Sequence, residues 1–144
     1  MSSTPRDAIV QLLRDLKDDD WTIRQDAVNR ISRLSDPGQV EELLNHLLRE
    51  KWYVREAAAA GIRANTHTGT GSVMIKALSY DDDIIRNAAA SALGTMKYRE
   101  AEGVLAQAAN DPDCRIRNTA RTSLELIRDG KEHSKRKPRR LINH

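Results

Sequence analysis

Four arginines stand at a fixed step of 31 residues: Arg24, Arg55, Arg86 and Arg117. A guanidinium is always charged and presents a planar fork of donors that fits carboxylates and phosphates. Four in register could form an anion-binding ladder along one edge. The remaining chemistry-bearing residues are sparse. The histidines are His46, His67, His133 and His144; none is followed by Glu, and no two share a repeat at ligand spacing. A metal site needs several convergent ligands, so no metal is expected. Cys114 has no second cysteine and no histidine beside it, which fits a bystander better than a nucleophile. No acid, base and nucleophile set converges, and neither catalysis nor a cofactor is expected.

The elements that position the arginines repeat with them. Ile23, Val54, Ile85 and Ile116 precede the four arginines, and Ala27, Ala58, Ala89 and Ala120 follow three residues later. Ile31, Ile62, Leu93 and Leu124 complete that half of the period. In the other half Leu12, Leu43, Met74 and Leu105 are in register, as are Leu16, Leu47, Leu78 and Ala109. A period of this length is the mark of a stacked repeat protein. Apolar steps of three and four predict two helices per unit. A helices, which carry the arginines, are expected over 22–34, 53–65, 84–96 and 115–128. B helices are expected up to about residue 17 and over 39–49, 72–80 and 99–109. SDPG at 35–38 reads as a turn, NDPD at 110–113 as a helix start, and Gly130 as a helix end. The domain reading is a loose 1–4, a repeat domain over 5–129 and a basic, disordered tail over 130–144.

Acids precede each arginine: Asp20, Glu50, Asp82 and Asp113. Three of them lie four residues upstream, the favourable order for an ion pair along a helix, and at helix starts, where a carboxylate complements the dipole. A residue that recurs once per unit most simply holds units together. The structural reading of the arginine ladder is therefore preferred to the anion-binding one.

Composition sets further bounds. The chain has 144 residues, no Phe and a formal net charge of +3. MSSTPRD has no basic flank followed by an apolar run, so no secretory signal is expected. No apolar run approaches a membrane span. A single cysteine excludes an internal disulfide and favours a cytoplasmic setting. The tail carries Lys131, Lys135, Arg136, Lys137, Arg139 and Arg140 against Glu132. The repeat region is thus net acidic, and the basic character sits in a tail that either solubilises the chain or binds nucleic acid through counterion release.

The D-x-x-[IV]-R-x-x-A-[AV] core, SALG at 91–94 and SDPGQVEELLNHL at 35–47 resemble HEAT-like repeats of the phycobilin lyase type. The resemblance spans about residues 5–128. It implies an all-α, short right-handed α-solenoid of about four 31-residue helical hairpins, with B helices on the concave side. Relatives implied by the resemblance include di-iron hydroxylases with His-Glu pairs, which this chain lacks, DNA glycosylases, and proteins that handle bilins.

By that geometry the outward B-helix positions are Gln11, Arg14, Glu42, Asn45, His46, Arg49, Lys76, Tyr80 and Gln107. They vary from unit to unit while the scaffold does not, as a surface that recognises one partner should. Tyr80 and Arg49 are the anchor types. The second unit departs from its siblings: Asn65 replaces the apolar Leu34, Met96 and Ile127, and THTGTGS follows. His67, Thr70, Gly71 and Ser72 could hold an anion at a helix start; the plainer reading is a polar turn with a helix cap. Trp21 and Trp52 share a register and are expected to pack between adjacent loops, with a nucleic-acid stacking platform as the other reading. Ile116, Ala120, Leu124 and Ile127 would line an open face on the last A helix, covered by the tail or by another molecule. The function expected is a non-enzymatic scaffold, adaptor or assembly factor that binds another protein. The alternative is a nucleic-acid-associated protein acting through the tail, and third a bilin- or cofactor-handling lyase or chaperone.

Overall fold

The computed structural model describes residues 5–135. They form eight α-helices: α1 (Pro5–Leu16), α2 (Trp21–Arg33), α3 (Pro37–Leu47), α4 (Trp52–Arg63), α5 (Gly71–Ala77), α6 (Asp83–Thr95), α7 (Glu102–Ala108) and α8 (Cys114–Lys135). Single 3-10 turns, Thr68–Thr70 and Arg99–Ala101, lead into α5 and α7. No strand occurs among the described residues.

Helix starts follow local chemistry. The Asp20 carboxylate accepts from Thr22 N, Asp36 from Gly38 N, Asp82 from Ile85 N and Asp113 from Arg115 N. Each satisfies a donor that the first helical turn leaves without a partner. The Thr22 hydroxyl also donates to Asp20 and holds its carboxyl below the usual carboxylate range. The Arg115 amide does the same for Asp113. At α4 the capping position is Lys51, which makes no side-chain cap.

The A helices α2, α4, α6 and α8 pack each on the next, and the B helices α1, α3 and α5 form a second row. The chain is therefore an all-α stack of helical hairpins. Its core runs unbroken through the units. Leu12, Leu43, Met74 and Leu105 are buried in the B row; Ala27, Ala58, Ala89 and Ala120 are buried in the A row, with Ile31, Ile62, Leu93 and Leu124. Burial of this continuous face is what holds units that could not fold singly.

Small residues set the spacing of the A row. A Cβ at Gly61 would lie 2.6 Å from the Val28 carbonyl oxygen, and one at Gly94 would lie 2.3 Å from Ser123 Oγ and 2.6 Å from Ser123 Cα. Ser123 Oγ in turn donates to Ala90 O at 2.6 Å. Gly94→Ala gains about 1 kcal/mol of helix propensity but overpacks the α6–α8 contact at a cost of roughly 1–3 kcal/mol or more. We expect a net loss of about 1–2 kcal/mol in urea unfolding. Ser123→Ala should not rescue it, because the clash includes Cβ and Cα.

Three sequence expectations are corrected. The helix end expected at Gly130 is absent: α8 continues to Lys135, since one glycine costs a helix only about 1 kcal/mol. The third and fourth B helices are shorter than the spacing suggested: α5 ends at Ala77, and the 3-10 turn Arg99–Ala101 replaces the first residues expected of α7. The face of the last A helix expected to lie open is covered: Ile116, Ala120, Leu124 and Ile127 are all buried, with α6 and α7 packed on α8.

Candidate functional site

Each ladder arginine clamps the turn that leads into its own helix. Arg24 donates to Asp18 O and Asp19 O, Arg86 to Tyr80 O, and Arg117 to Asp111 O and Pro112 O, at 2.7–3.0 Å. Arg55 donates to Glu50 O. The acid partner is not the residue four positions upstream. Arg55 Nε lies 3.0 Å from Asp82, and Arg86 Nε lies 3.5 Å from Asp111, both in the next unit's turn. These are ion-pair contacts without hydrogen-bond alignment of Nε–H. At Arg55 and Arg86 the contact links unit to unit, while Asp20, Asp82 and Asp113 serve as helix caps. Each guanidinium commits Nη1 to the turn before its own helix.

The 66–72 loop is also built inward. Asn65 is 1% exposed. Its Nδ2 donates to Ile31 O at 2.9 Å and Leu34 O at 2.8 Å, the last carbonyls of α2, and its Oδ1 accepts from His67 N at 3.0 Å. Thr70 is fully buried and its hydroxyl donates to His67 O at 2.8 Å. Gly71 is buried, and the Tyr98 ring occupies the place where its Cβ would be. The four-residue anion site therefore does not assemble. Only His67 and Ser72 face solvent.

On the B row, Gln11, Arg14, Asn45, Arg49, Lys76 and Gln107 are exposed, and Glu42, His46 and Tyr80 are half-buried. The structure brings some of these together. Tyr80 Oη donates to Asn45 Oδ1 at 3.4 Å, joining α5 to α3. Lys76 bridges the same helices through Glu41 at 3.0 Å. His46 lies 3.8 Å from Glu42, and Gln11 donates to Asp15 at 3.0 Å. Burial and then the Glu41 charge push the Tyr80 phenol above its usual range, so it remains a donor. Arg14, Arg49 and Gln107 stand apart from these pairs. Of the basic tail, Lys131 and Lys135 fall within α8, while Arg136, Lys137, Arg139 and Arg140 lie outside the described residues. Among the described residues no group of three or more His, Cys, Asp or Glu could hold a metal ion. No helix among them is long and apolar enough to cross a membrane.

Residues 71–136, a little under half of the chain, match the family model for HEAT repeats. The fold is a short solenoid of HEAT-like repeats. No curated protein matches the sequence. Within the HEAT-like stack the matched part contains α5 to α8, the half where the B row opens.

That opening was not foreseen. α5 and α7 barely touch, and between them lies a cleft of about 260 Å³ lined by Ile75, Leu78, Val104, Ala108 and Ile116, with Ser79, Gln107 and Asp111 among its polar groups. The shortening of both helices, at the end of α5 and at the start of α7, is not visible in apolar spacing. The other surprise is at the A-helix starts. Trp21 is 64% exposed, Trp52 65% and Tyr53 51%. The tryptophans do not pack between loops as the sequence suggested. Their shared register was the available signal; their exposure was not.

Proposed function

We propose that this HEAT-like chain is a non-enzymatic scaffold or adaptor that binds another protein through its B-helix face. The cleft between α5 and α7 carries the reading. An apolar floor with a polar rim takes an anchoring side chain, and interfaces concentrate their energy where such anchors fill pockets. The neighbouring surface is held in place by the Tyr80–Asn45 and Lys76–Glu41 contacts, so little ordering cost is added on binding. Arg49 and Gln107 supply further polar contacts. HEAT repeats generally serve as protein-interaction scaffolds. Phycobilin lyase-type kinship, carried by the sequence motifs, and a cytoplasmic setting, supported by the single exposed Cys114, belong to the same reading.

The test is affinity capture from native extract with the intact chain, followed by direct binding of the recovered protein. Ala108→Phe fills the cleft and Tyr80→Ala removes an anchor; each should weaken binding by about ten-fold or more. Binding should persist at moderate salt and after nuclease treatment. Capture that disappears with nuclease or with charge reversal of Arg139 and Arg140, and ignores both variants, would replace this reading with nucleic-acid association through the tail.

A further inference from the structure

We infer that Trp21, Trp52 and Tyr53 form a second interaction surface, which takes an arginine- or lysine-bearing peptide segment. This surface is distinct from the B-helix face. Trp21 and Trp52 are the first residues of α2 and α4, which pack side by side. Packed helices lie about 8–10 Å apart, so the two indoles occupy equivalent places on one edge. Tyr53 meets Trp52 edge-on, with ring centroids 6.0 Å apart at 87°. Three large rings left more than half in water along one edge make an apolar feature of the kind that marks an interface. The feature is local: the next two residues in the same register are Asp83 and Cys114.

Charge selects the occupant. Asp19 and Asp20 stand exposed immediately before Trp21, and Glu56 stands exposed one turn beyond Trp52. The hydrogen bonds from Thr22 keep Asp20 ionised. Lys17 is paired with Glu50 at 3.1 Å, and Arg24 and Arg55 are turned into their own turns. Lys51, exposed and next to Trp52 in sequence, and Arg115, whose charge reaches Glu56, are the cations that offset these carboxylates in part. Exposed carboxylates within a turn of exposed rings along the chain suit a guanidinium or ammonium group, which gains an ion pair and a cation–π contact together. They repel a phosphate backbone, so base stacking on these rings is disfavoured.

Both tryptophans of the chain lie in this patch, so tryptophan emission, excited apart from tyrosine, reports on it alone. The intact protein is titrated at low ionic strength with acetyl-tetraarginine amide, acetyl-tetraglutamate amide and an eight-thymidine single strand. We expect a saturable emission change with tetraarginine only. With a labelled tetraarginine, Trp52→Ala and the pair Asp19→Asn with Asp20→Ser should each weaken binding by about ten-fold. Ser retains the helix cap, and unchanged melting confirms that each variant is folded. The inference is overturned if tetraarginine has no effect, if its binding ignores Trp52→Ala, or if the thymidine strand binds more tightly. Emission that changes with protein concentration alone would assign the patch to a second copy instead.

Discussion

Replacing Asn65 by leucine should destabilise the protein by about 3 kcal/mol, although leucine is the type that its register siblings favour. Asn65 Nδ2 bonds the Ile31 and Leu34 carbonyls, and Oδ1 takes the His67 amide. Ile31 O keeps a second donor, Leu34 N. Leu34 O and His67 N lose the partner that Asn65 supplies, each in a part-buried hydrogen bond. Each such group costs roughly 1–3 kcal/mol. Burying leucine returns about 2 kcal/mol, less the strain of a branched side chain in a site shaped for a planar amide. Asn65→Asp keeps the acceptor for His67 but sets a second oxygen against two carbonyls, and should lose at least as much at neutral pH. Urea unfolding gives the magnitude, and amide exchange gives the place. Because Asn65 joins the second unit to the end of α2, exchange should accelerate first in α1 and α2. A leucine variant as stable as the parent would remove this account of the loop.

Asn65 also shows where sequence reasoning succeeds and where it stops. The break in the apolar ladder was legible, because the period makes any exception stand out. Its meaning was not: periodicity assigns a residue to a face, and only packing shows that the Asn65 amide reaches the previous unit's helix end. The same limit applies to the arginines. A rule of i,i+4 spacing describes one helix, whereas Asp82 and Asp111 come to Arg55 and Arg86 from the following turn. The outward B-helix residues were read from the resemblance to HEAT-like repeats, which implies that B helices line the concave side. The cleft between α5 and α7 did not, since it depends on where α5 ends and on a gap between the two helices. Trp21 and Trp52 shared a register that sequence could see, but large aromatic residues default to burial, and here that default fails.

Arg55→Met should cost about 2–3 kcal/mol, and Arg24→Met clearly less. Methionine keeps most of the aliphatic stem, so the loss isolates the guanidinium. At Arg55 that group holds Glu50 O and faces Asp82, whose side chain is only 11% exposed. Removing it leaves a half-buried carboxylate beside the turn with its cap bond to Ile85 N alone. Exposure of the pair reduces the cost below that of a fully buried one. Arg24 has its two carbonyls, but the register position that supplies Asp82 to Arg55 holds Lys51. The missing rung makes a gain-of-stability test. Lys51→Asp would furnish a helix cap that α4 lacks and a carboxylate in the place from which Asp82 reaches Arg55. Capping alone is worth about 1 kcal/mol, and we expect a gain of about 1–2 kcal/mol in all. That gain should fall by half or more when Arg24 is already methionine, a coupling that a double-mutant cycle reads directly. If the ladder instead served to hold an anion, phosphate would stabilise the parent, and the gain from Lys51→Asp would be that of the cap alone, unchanged by Arg24→Met. Coupling to Arg24 and the response to phosphate together decide whether the arginines bind the stack to itself or to something else.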